Sequence, residues 1–280
     1  HEGTARAYAS SLRSMQRYLG KKDFPFIKLS SRIISDYQGK LLASGICDNT
    51  IGFYLHNIKA LFRKGCREMG LELPCPFRDI SIKTEKTLKR SLDPVVIKTL
   101  SAIELEKDSP LSLARDIFMF SFYTRGMSFV DIALLKKRHV FPGEICYRRH
   151  KTDQLMRVGI NKEISRILER YKNVPGEYIF PLFPAERDPY AGYRSAYHRI
   201  RYSLGKISRV IGLEFPLRLH AARHSWATIA KVNGASVHVI GECLGHTSEK
   251  TTRIYLKELD HSALDAVNNQ VADFILAVDD

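Results

Sequence analysis

Four polar residues in the last quarter of the chain have types and spacings suited to chemistry on a phosphodiester. His220 and Arg223 lie three residues apart in a helical stretch, so their side chains share one helix face. His246 ends a Leu-Gly-His tripeptide, and Tyr255 follows it by nine residues. A guanidinium binds two phosphate oxygens, histidines donate to an oxygen that gains charge, and a phenol supplies a nucleophile. We therefore predict that these four side chains converge on one site.

The elements that must position these residues are mostly helical. Apolar residues at helical spacing predict three helices in the first third of the chain, from Thr4 to Leu19, from Ser30 to Ser44 and from Asp48 to Met69. In the remainder, two β-branched and aromatic runs flank a polar turn that begins at Lys151, which predicts a β-hairpin. Helices are predicted there at 111–123, 128–135, 161–171, 191–211, 218–232, 236–243, 248–256 and 262–278. The fold class expected is therefore mainly α with a small β-hairpin (α+β).

Two domains are expected from the length of 280 residues, since a domain typically has roughly 100–200 residues. Residues 81–92 are polar and basic without apolar periodicity, which is typical of an interdomain linker. This leaves a helical domain at 1–80 and a larger domain at 93–280, which opens with Asp93-Pro94 as a helix start. The chain begins with His1 rather than Met, so we expect that an upstream segment was removed.

The charge distribution favours a nucleic-acid partner. The chain has 44 Lys and Arg against 30 Asp and Glu, a net charge of +14, and only its last 25 residues are acidic. Basic residues outside the apolar stripes or in the linker are predicted to contact DNA, although a solvated helix face is the alternative for each. They are Arg13, Arg17, Lys59, Arg63, Lys64, Lys83, Lys86, Lys89 and Arg90.

Metal-dependent and membrane-spanning classes are disfavoured. The five cysteines are widely spaced and form neither a metal motif nor a disulfide framework, as in a reducing cytoplasm. His220 and His224 have the spacing of a metal pair, but Ala221 stands where a metalloprotease needs glutamate. No run of ~18 apolar residues is present. We expect no metal, no cofactor and no membrane partner.

The motifs resemble those of the tyrosine recombinases, the phage-type integrases. H-x-x-R, L-G-H and a tyrosine nine residues later occur in the order and spacing of that family. The stretch YTRGMSFVDIALLK is similar to integrases of mobile elements such as conjugative transposons. The resemblance covers essentially the whole chain and implies a helical core-binding domain, a linker and a tyrosine-recombinase catalytic domain.

The resemblance also implies roles for individual residues. Tyr255 is the expected nucleophile, forming a 3′-phosphotyrosyl link and releasing a 5′ hydroxyl. Arg223 is expected to clamp the nonbridging oxygens, and His246 to hydrogen-bond the phosphate. His220 accepts the tyrosine proton or donates another hydrogen bond, and Lys151, at the hairpin tip, is the expected general acid. The resemblance further implies that the reaction needs neither metal nor ATP.

One position departs from the family pattern. The first arginine of the family lies three residues before an acidic residue, here Asp131, and that position holds Ser128. Two nearby arginines could restore the charge, Arg125 and Arg149. We favour Arg149, because on a strand it would point to the same side as Lys151, two residues later.

Double-stranded DNA is the expected partner, and the family implies a homotetramer on two DNA sites, with DNA-bending accessory proteins. The helix at 262–278 is expected to dock on a neighbouring subunit, or else on its own domain. A cytoplasmic protein of bacterial, phage or mobile-element origin is expected. Two alternatives remain open at this point: a DNA-binding protein of this fold that has lost catalysis, because of Ser128, and a type IB topoisomerase-like enzyme.

Overall fold

A computed structural model describes residues 2–83, 85, 91–183, 189–246 and 248–256. The chain divides into two compact units, His1–Leu88 and Lys89–Asp280. In the described ranges, no helix combines the length and the apolar character needed to cross a membrane.

Three helices form the first unit: α1 (Glu2–Leu19), α2 (Ser31–Ala43) and α3 (Asp48–Glu68). Ser30, where the second helix was predicted to begin, is the N-cap of α2 and accepts a hydrogen bond from the Ile33 amide. The predicted apolar faces of α2 and α3 are confirmed at Tyr37, Leu41, Leu55 and Phe62, which are buried, but not at Met69, which was predicted to face inward and is 56% exposed.

The predicted inner face of α1 is partly wrong. Leu12, one of the apolar residues whose spacing predicts this helix, is 43% exposed, whereas Ser11 and Ser14 are buried. The small hydroxyl side chains face the neighbouring helices and receive hydrogen bonds there, from Asn57 Nδ2 to Ser11 Oγ at 3.0 Å and from Tyr37 Oη to Ser14 Oγ at 2.8 Å. Hydrogen bonding between helices thus overrides the simple apolar spacing at this contact.

The first residues of the predicted linker are held against the helices of the first unit. Gln38 Nε2 donates to the Ser81 carbonyl at 3.0 Å, and Asn49 and Glu85 exchange two hydrogen bonds of 3.0 Å each. Ile82 packs on the same apolar core. Lys86, Lys89 and Arg90, predicted to contact DNA, lie outside the described residues.

The second unit is a helical domain with one small antiparallel sheet. Its described helices are α4 (Pro94–Ala102), α5 (Pro110–Tyr123), α6 (Phe129–Ala133), α7 (Lys162–Arg170), α8 (Pro189–Val210), α9 (Leu219–Val232), α10 (Val237–Leu244) and α11 (Glu249–Tyr255). Strands β1 (Val140–Phe141), β2 (Glu144–Arg148) and β3 (Leu155–Gly159) pair in that order. The α+β fold and the hairpin are confirmed, and the helix predicted at 262–278 lies outside the described residues.

The hairpin and helix α5 belong to the core of the second unit. Ile145 and Val158 face each other across β2 and β3 and are both buried, as alternation along a half-buried strand predicts. On α5, Phe118 and Phe120 are fully buried, and the Phe120 ring meets that of Phe180 at 5.1 Å. Because α5 packs on α7, α8 and α9, it connects three other helices of the unit, including the one that carries Arg223.

A buried carboxylate fastens α5 to α7. Asp116, 2% exposed, accepts hydrogen bonds from Arg115 Nε at 2.6 Å, from Tyr171 Oη at 2.8 Å and from Arg170 Nη1. Arg115 Nη1 also donates to the Ile103 carbonyl at 2.9 Å, which includes the end of α4 in the network. These hydrogen bonds replace those that the carboxylate would make with water if it were exposed.

Replacing Asp116 by asparagine should lower the free energy of unfolding of the second unit by about 3 kcal/mol, because two arginines then lose their buried counter-charge. Urea unfolding followed by circular dichroism measures the loss. Glu169→Gln is the matched control, since its ion pair with Lys172 is solvent-exposed and worth at most about 1 kcal/mol. A loss for Asp116→Asn no larger than the control's would contradict a structural role for the network.

Candidate active site

Arg223 joins three segments of the second unit. Its side chain lies on the buried face of α9 and is only 4% exposed as a residue. Nη1 donates to the Gly126 carbonyl at 2.7 Å, in the turn between α5 and α6. Nη2 donates to the Leu244 carbonyl at the end of α10 and lies 3.0 Å from His246 Nε2. A single guanidinium thus fixes two loop backbones and the histidine of the Leu-Gly-His tripeptide.

The approach of the turn to α9 requires glycine at position 126. Gly126 has φ +72°, and a Cβ there would lie 2.6 Å from Arg223 Cγ. Gly245, with φ +64°, ends α10 in the left-handed conformation, and its Cβ would lie 2.9 Å from Met156 Sδ. Both glycines therefore let backbone approach the site more closely than any other residue would allow.

His246 is a neutral, half-buried ring at the centre of these contacts. Its Nδ1 lies 3.0 Å from Thr252 Oγ1 on α11, while its Nε2 faces Arg223. Burial, together with the cations Arg223, Arg149 and Lys151, lowers the pKa of His246 to about 4. At neutral pH the ring therefore carries one proton, and its two nitrogens have opposite hydrogen-bonding roles.

The turn between β2 and β3 is anchored next to this histidine. Asp131 is buried and accepts from the His150 amide at 2.8 Å and from Ser128 Oγ at 2.6 Å. Arg149 Nη1 donates to the Gly245 carbonyl, one residue before His246. The carboxylate at 131 therefore holds the turn in place, and the arginine in that turn reaches the backbone beside His246.

Ser128 is a helix-capping residue. It is the N-cap of α6, and its hydroxyl is engaged with the Asp131 carboxylate and backbone amide. A serine bound in this way supplies no positive charge, in agreement with the departure seen in the sequence.

The structural reason given for preferring Arg149 was wrong in one respect. Strand β2 ends at Arg148, so Arg149 and Lys151 lie in the turn and not at alternate positions of a strand. The amides of Thr152 and Asp153 both donate to the Arg149 carbonyl, and Asp153 has φ +55°. The turn geometry, and not the two-residue period of a strand, brings Arg149 toward the Leu-Gly-His tripeptide.

The other predicted catalytic residues occupy different surroundings. Lys151 is exposed on the turn and is close enough to lower the pKa of His246. Arg125 has φ +59°, and its Nη1 donates to the Arg157 carbonyl at 3.4 Å, on β3. His220 is exposed in the first turn of α9, where its ring meets the buried His224 ring at 4.7 Å. Tyr255 is the last residue of α11, and its side chain is not among those described.

In the first unit, Arg13 and Arg17 line a cavity of about 610 Å³ at the end of α1 with two further cations, Lys21 and Lys22. Arg63 and Lys64 are exposed on α3, where Lys64 forms a 3.6 Å ion pair with Glu68, while Lys59 is half-buried and Lys83 is exposed. The sequence did not single out Lys21 or Lys22.

Thr252 was also missed by sequence reasoning. It is completely buried and contacts His246, yet threonine is common on helices and caps for reasons unrelated to catalysis. Its position, six residues after His246 and three before Tyr255, was the available signal.

Comparisons with known proteins assign the family. Residues 91–261 match the Phage integrase family, and residues 1–77 match the phage integrase SAM-like domain. Tyrosine recombinase XerC of Shewanella oneidensis is 26% identical over 77% of this chain and 70% of its own length. Tyrosine recombinase XerD of Pseudomonas putida is 24% identical over 91% and 86%.

Two solved integrase structures have the same fold. A lambda integrase dimer bound to a COC′ core site superposes with a TM-score of 0.69 at 17% identity, covering 93% of this chain and 92% of that one. The Tn1549 transposon integrase in complex with circular intermediate DNA gives 0.65 at 16% identity, covering 94% and 98%. Because the family match spans more than half of the chain, this protein belongs to the phage integrase family of tyrosine recombinases. Members of this family cut and rejoin DNA strands in recombination.

Proposed function

We propose that this chain is a site-specific recombinase that cuts and rejoins double-stranded DNA through a 3′-phosphotyrosyl intermediate at Tyr255, without metal or ATP. The proposal is supported mainly by the 3.0 Å contact between Arg223 Nη2 and His246 Nε2. Arg149 Nη1 also donates a hydrogen bond to the carbonyl of Gly245, the residue before that histidine. Two guanidinium groups and a histidine in one place match the requirements of a pentacoordinate phosphate, whose oxygens gain charge.

In the cleavage step, the phosphoryl group is transferred from the 5′ oxygen of the DNA to the phenolic oxygen of Tyr255. The Tyr255 oxygen attacks phosphorus while the bond to the 5′ oxygen breaks, and a 3′-phosphotyrosyl ester forms. The phenol proton goes to His220 or to water, and Lys151 donates a proton to the departing 5′ oxygen. Religation is the reverse reaction with a 5′ hydroxyl from a second duplex, so the energy of the phosphodiester is retained throughout.

Arg149 is proposed as the residue that supplies the positive charge missing at Ser128. Its side chain is directed to the Gly245 carbonyl, and it contributes to lowering the pKa of His246. Arg125 does not act on His246 in this way, and its hydrogen bond goes to β3 at Arg157. Both arginines act on the buried phenol of Tyr147, whose pKa is raised overall by burial and by Asp131, while these cations offset part of the rise.

Arg149→Ala should slow cleavage by about 10²–10³-fold, because it removes one donor to the charged phosphate, whereas Arg125→Ala should slow it less than about 10-fold. Rates of covalent adduct formation under single-turnover conditions measure both. Arg148→Ala is the matched control, since that exposed neighbour pairs only with Asp153 among the contacts described. Equal rates for Arg149→Ala and the control would refute the assignment.

The first unit is proposed to bind the DNA backbone through its basic surfaces, including the cavity at the end of α1 lined by Arg13 and Arg17. A homotetramer on two DNA sites is proposed from the family. A lambda integrase tetramer bound to a Holliday junction is among the structures of the same fold, with a TM-score of 0.67. Gel filtration of the protein–DNA complex measures the subunit number, and one subunit per duplex at all concentrations would exclude a tetramer.

A nicked suicide substrate tests the proposed reaction. A duplex site is first selected from random DNA by binding to the purified chain, and a nick is then placed next to the cleaved position. The short 5′-hydroxyl fragment diffuses away, so the covalent complex accumulates and the modified residue can be mapped by mass spectrometry. DNA binding without any adduct would favour the catalytically inactive alternative, and relaxation of a plasmid without pairing of sites would favour a topoisomerase-like enzyme.

A further inference from the structure

The hydroxyl of Thr252 is placed where it can hydrogen-bond His246 Nδ1 whether or not that nitrogen carries the proton. Thr252 Oγ1 lies 3.0 Å from His246 Nδ1, and the threonine has no exposed surface. It belongs to α11, the short helix that ends at Tyr255. This contact therefore connects the histidine of the Leu-Gly-His tripeptide to the helix of the predicted nucleophile.

The contact between Arg223 and His246 fixes the direction of the hydrogen bonds. Arginine can only donate, so His246 Nε2 accepts from Arg223 Nη2 at 3.0 Å. The neutral ring then carries its proton on Nδ1, and this N–H donates a hydrogen bond to Thr252 Oγ1.

A phosphate in the site requires the opposite roles. To donate to a phosphate oxygen, as in the proposed function, the His246 ring must carry a proton on Nε2. The ring then takes one proton from water at Nε2 and returns one to water from Nδ1, so its net charge stays zero. Nδ1 becomes an acceptor, and Thr252 can serve it, because a hydroxyl either donates or accepts after rotation about its C–O bond.

The backbone around Thr252 makes room for this hydroxyl. A Cβ on Gly241 of α10 would lie 2.9 Å from Thr252 Oγ1, closer than real contacts allow. The Gly241 carbonyl also accepts from the His246 amide at 3.0 Å. The same glycine thus holds the histidine backbone and leaves space for the hydroxyl that contacts its ring.

We propose that Thr252 is a positioning residue that orients the His246 ring and allows it to change from a hydrogen-bond acceptor toward Arg223 to a donor toward the scissile phosphate. The proposal rests on the proposed function. It predicts that the hydroxyl, and not the shape of the side chain, is what the site needs. Valine matches threonine in shape but lacks the hydroxyl, whereas serine keeps it.

The first test is spectroscopic and uses the whole chain without DNA. Nitrogen-15 NMR of protein labelled at histidine reports which ring nitrogen is protonated, and His246→Gln identifies the signal among the ten histidines. The parent and Thr252→Ser should show His246 protonated on Nδ1. Thr252→Val should raise the fraction of rings protonated on Nε2, because a proton on Nδ1 then loses the Thr252 hydroxyl as its acceptor, although the Arg223 contact still favours it.

The second test measures covalent adduct formation on the suicide substrate. Thr252→Val should lower the rate by about 10–100-fold, as is typical when a group that orients a metal-binding histidine is removed, while Thr252→Ser should stay within about threefold of the parent. Thr251→Val is the matched control, since the Thr251 hydroxyl contacts Ser248 at 3.0 Å. Should Thr252→Val fail to fold, Gly241→Ala crowds the same hydroxyl and should shift the proton in the same direction.

The outcomes separate this proposal from the proposed function. If Thr252→Val keeps the parent's ring protonation, the positioning role is refuted, whether or not the adduct rate falls. If Thr252→Val shifts the proton but reacts as fast as the parent, the role in the reaction is likewise refuted. Absence of an adduct with the parent itself would refute the proposed function, while the NMR comparison would still decide whether Thr252 controls His246.

Discussion

Tyr255→Phe is expected to abolish the covalent protein–DNA complex while leaving DNA affinity nearly unchanged. The phenolic oxygen is the proposed attacking atom, so its removal leaves the site with no group that can form the phosphotyrosyl bond. We expect adduct formation on the nicked substrate to fall by on the order of 10³-fold or more, to the level of detection. Electrophoresis under denaturing conditions measures the adduct, and fluorescence anisotropy measures binding.

The matched control makes the same change, tyrosine to phenylalanine, at a position outside the site. Tyr202 is 65% exposed on α8, where Lys206 lies 4.8 Å from its ring centre, so Tyr202→Phe should form adduct at the parental rate. An adduct formed by Tyr255→Phe at a rate close to that of Tyr202→Phe would overturn the assignment of the nucleophile. Loss of binding by Tyr255→Phe alone would indicate a structural effect on α11.

The fold and the residue types of the site could be predicted because both depend on local patterns. The three-residue spacing of His220 and Arg223 places them on one helix face, and the polar turn at Lys151 between two β-rich runs defines the hairpin. Family resemblance then supplied the order of the motifs. These features need only the periodicity of the backbone and not the packing of distant segments.

The contacts within the site could not be predicted, because they depend on how distant segments pack. Arg223 binds the carbonyl of Gly126, 97 residues away, and the approach depends on a left-handed glycine. Asp131 accepts from the His150 amide, which fixes the turn that carries Arg149. A sequence pattern gives no signal for a hydrogen bond to a backbone carbonyl, since every residue has one. The buried serine at position 11 was missed because its hydrogen bond from Asn57, 46 residues away, likewise depends on how the helices pack.

Arg223→Lys should slow adduct formation by about 10²–10³-fold although the positive charge is kept. The guanidinium donates from two nitrogens to Gly126, Leu244 and His246, a geometry that one ammonium group cannot reproduce. Lysine also lacks the planar fork that binds two phosphate oxygens together. The prediction therefore separates the shape of the cation from its charge, and single-turnover rates on the suicide substrate measure it.

Arg166→Lys provides the control for the same chemical change on the surface. Arg166 is exposed on α7 and pairs with Glu163 at 3.1 Å, so this variant should react at the parental rate. Urea unfolding of both variants distinguishes lost chemistry from lost structure, because Arg223 also ties the turn after α5 to the end of α10. If Arg223→Lys unfolds like the parent and still cleaves at the parental rate, the bidentate clamp is not needed, and positive charge at this position is sufficient for the reaction.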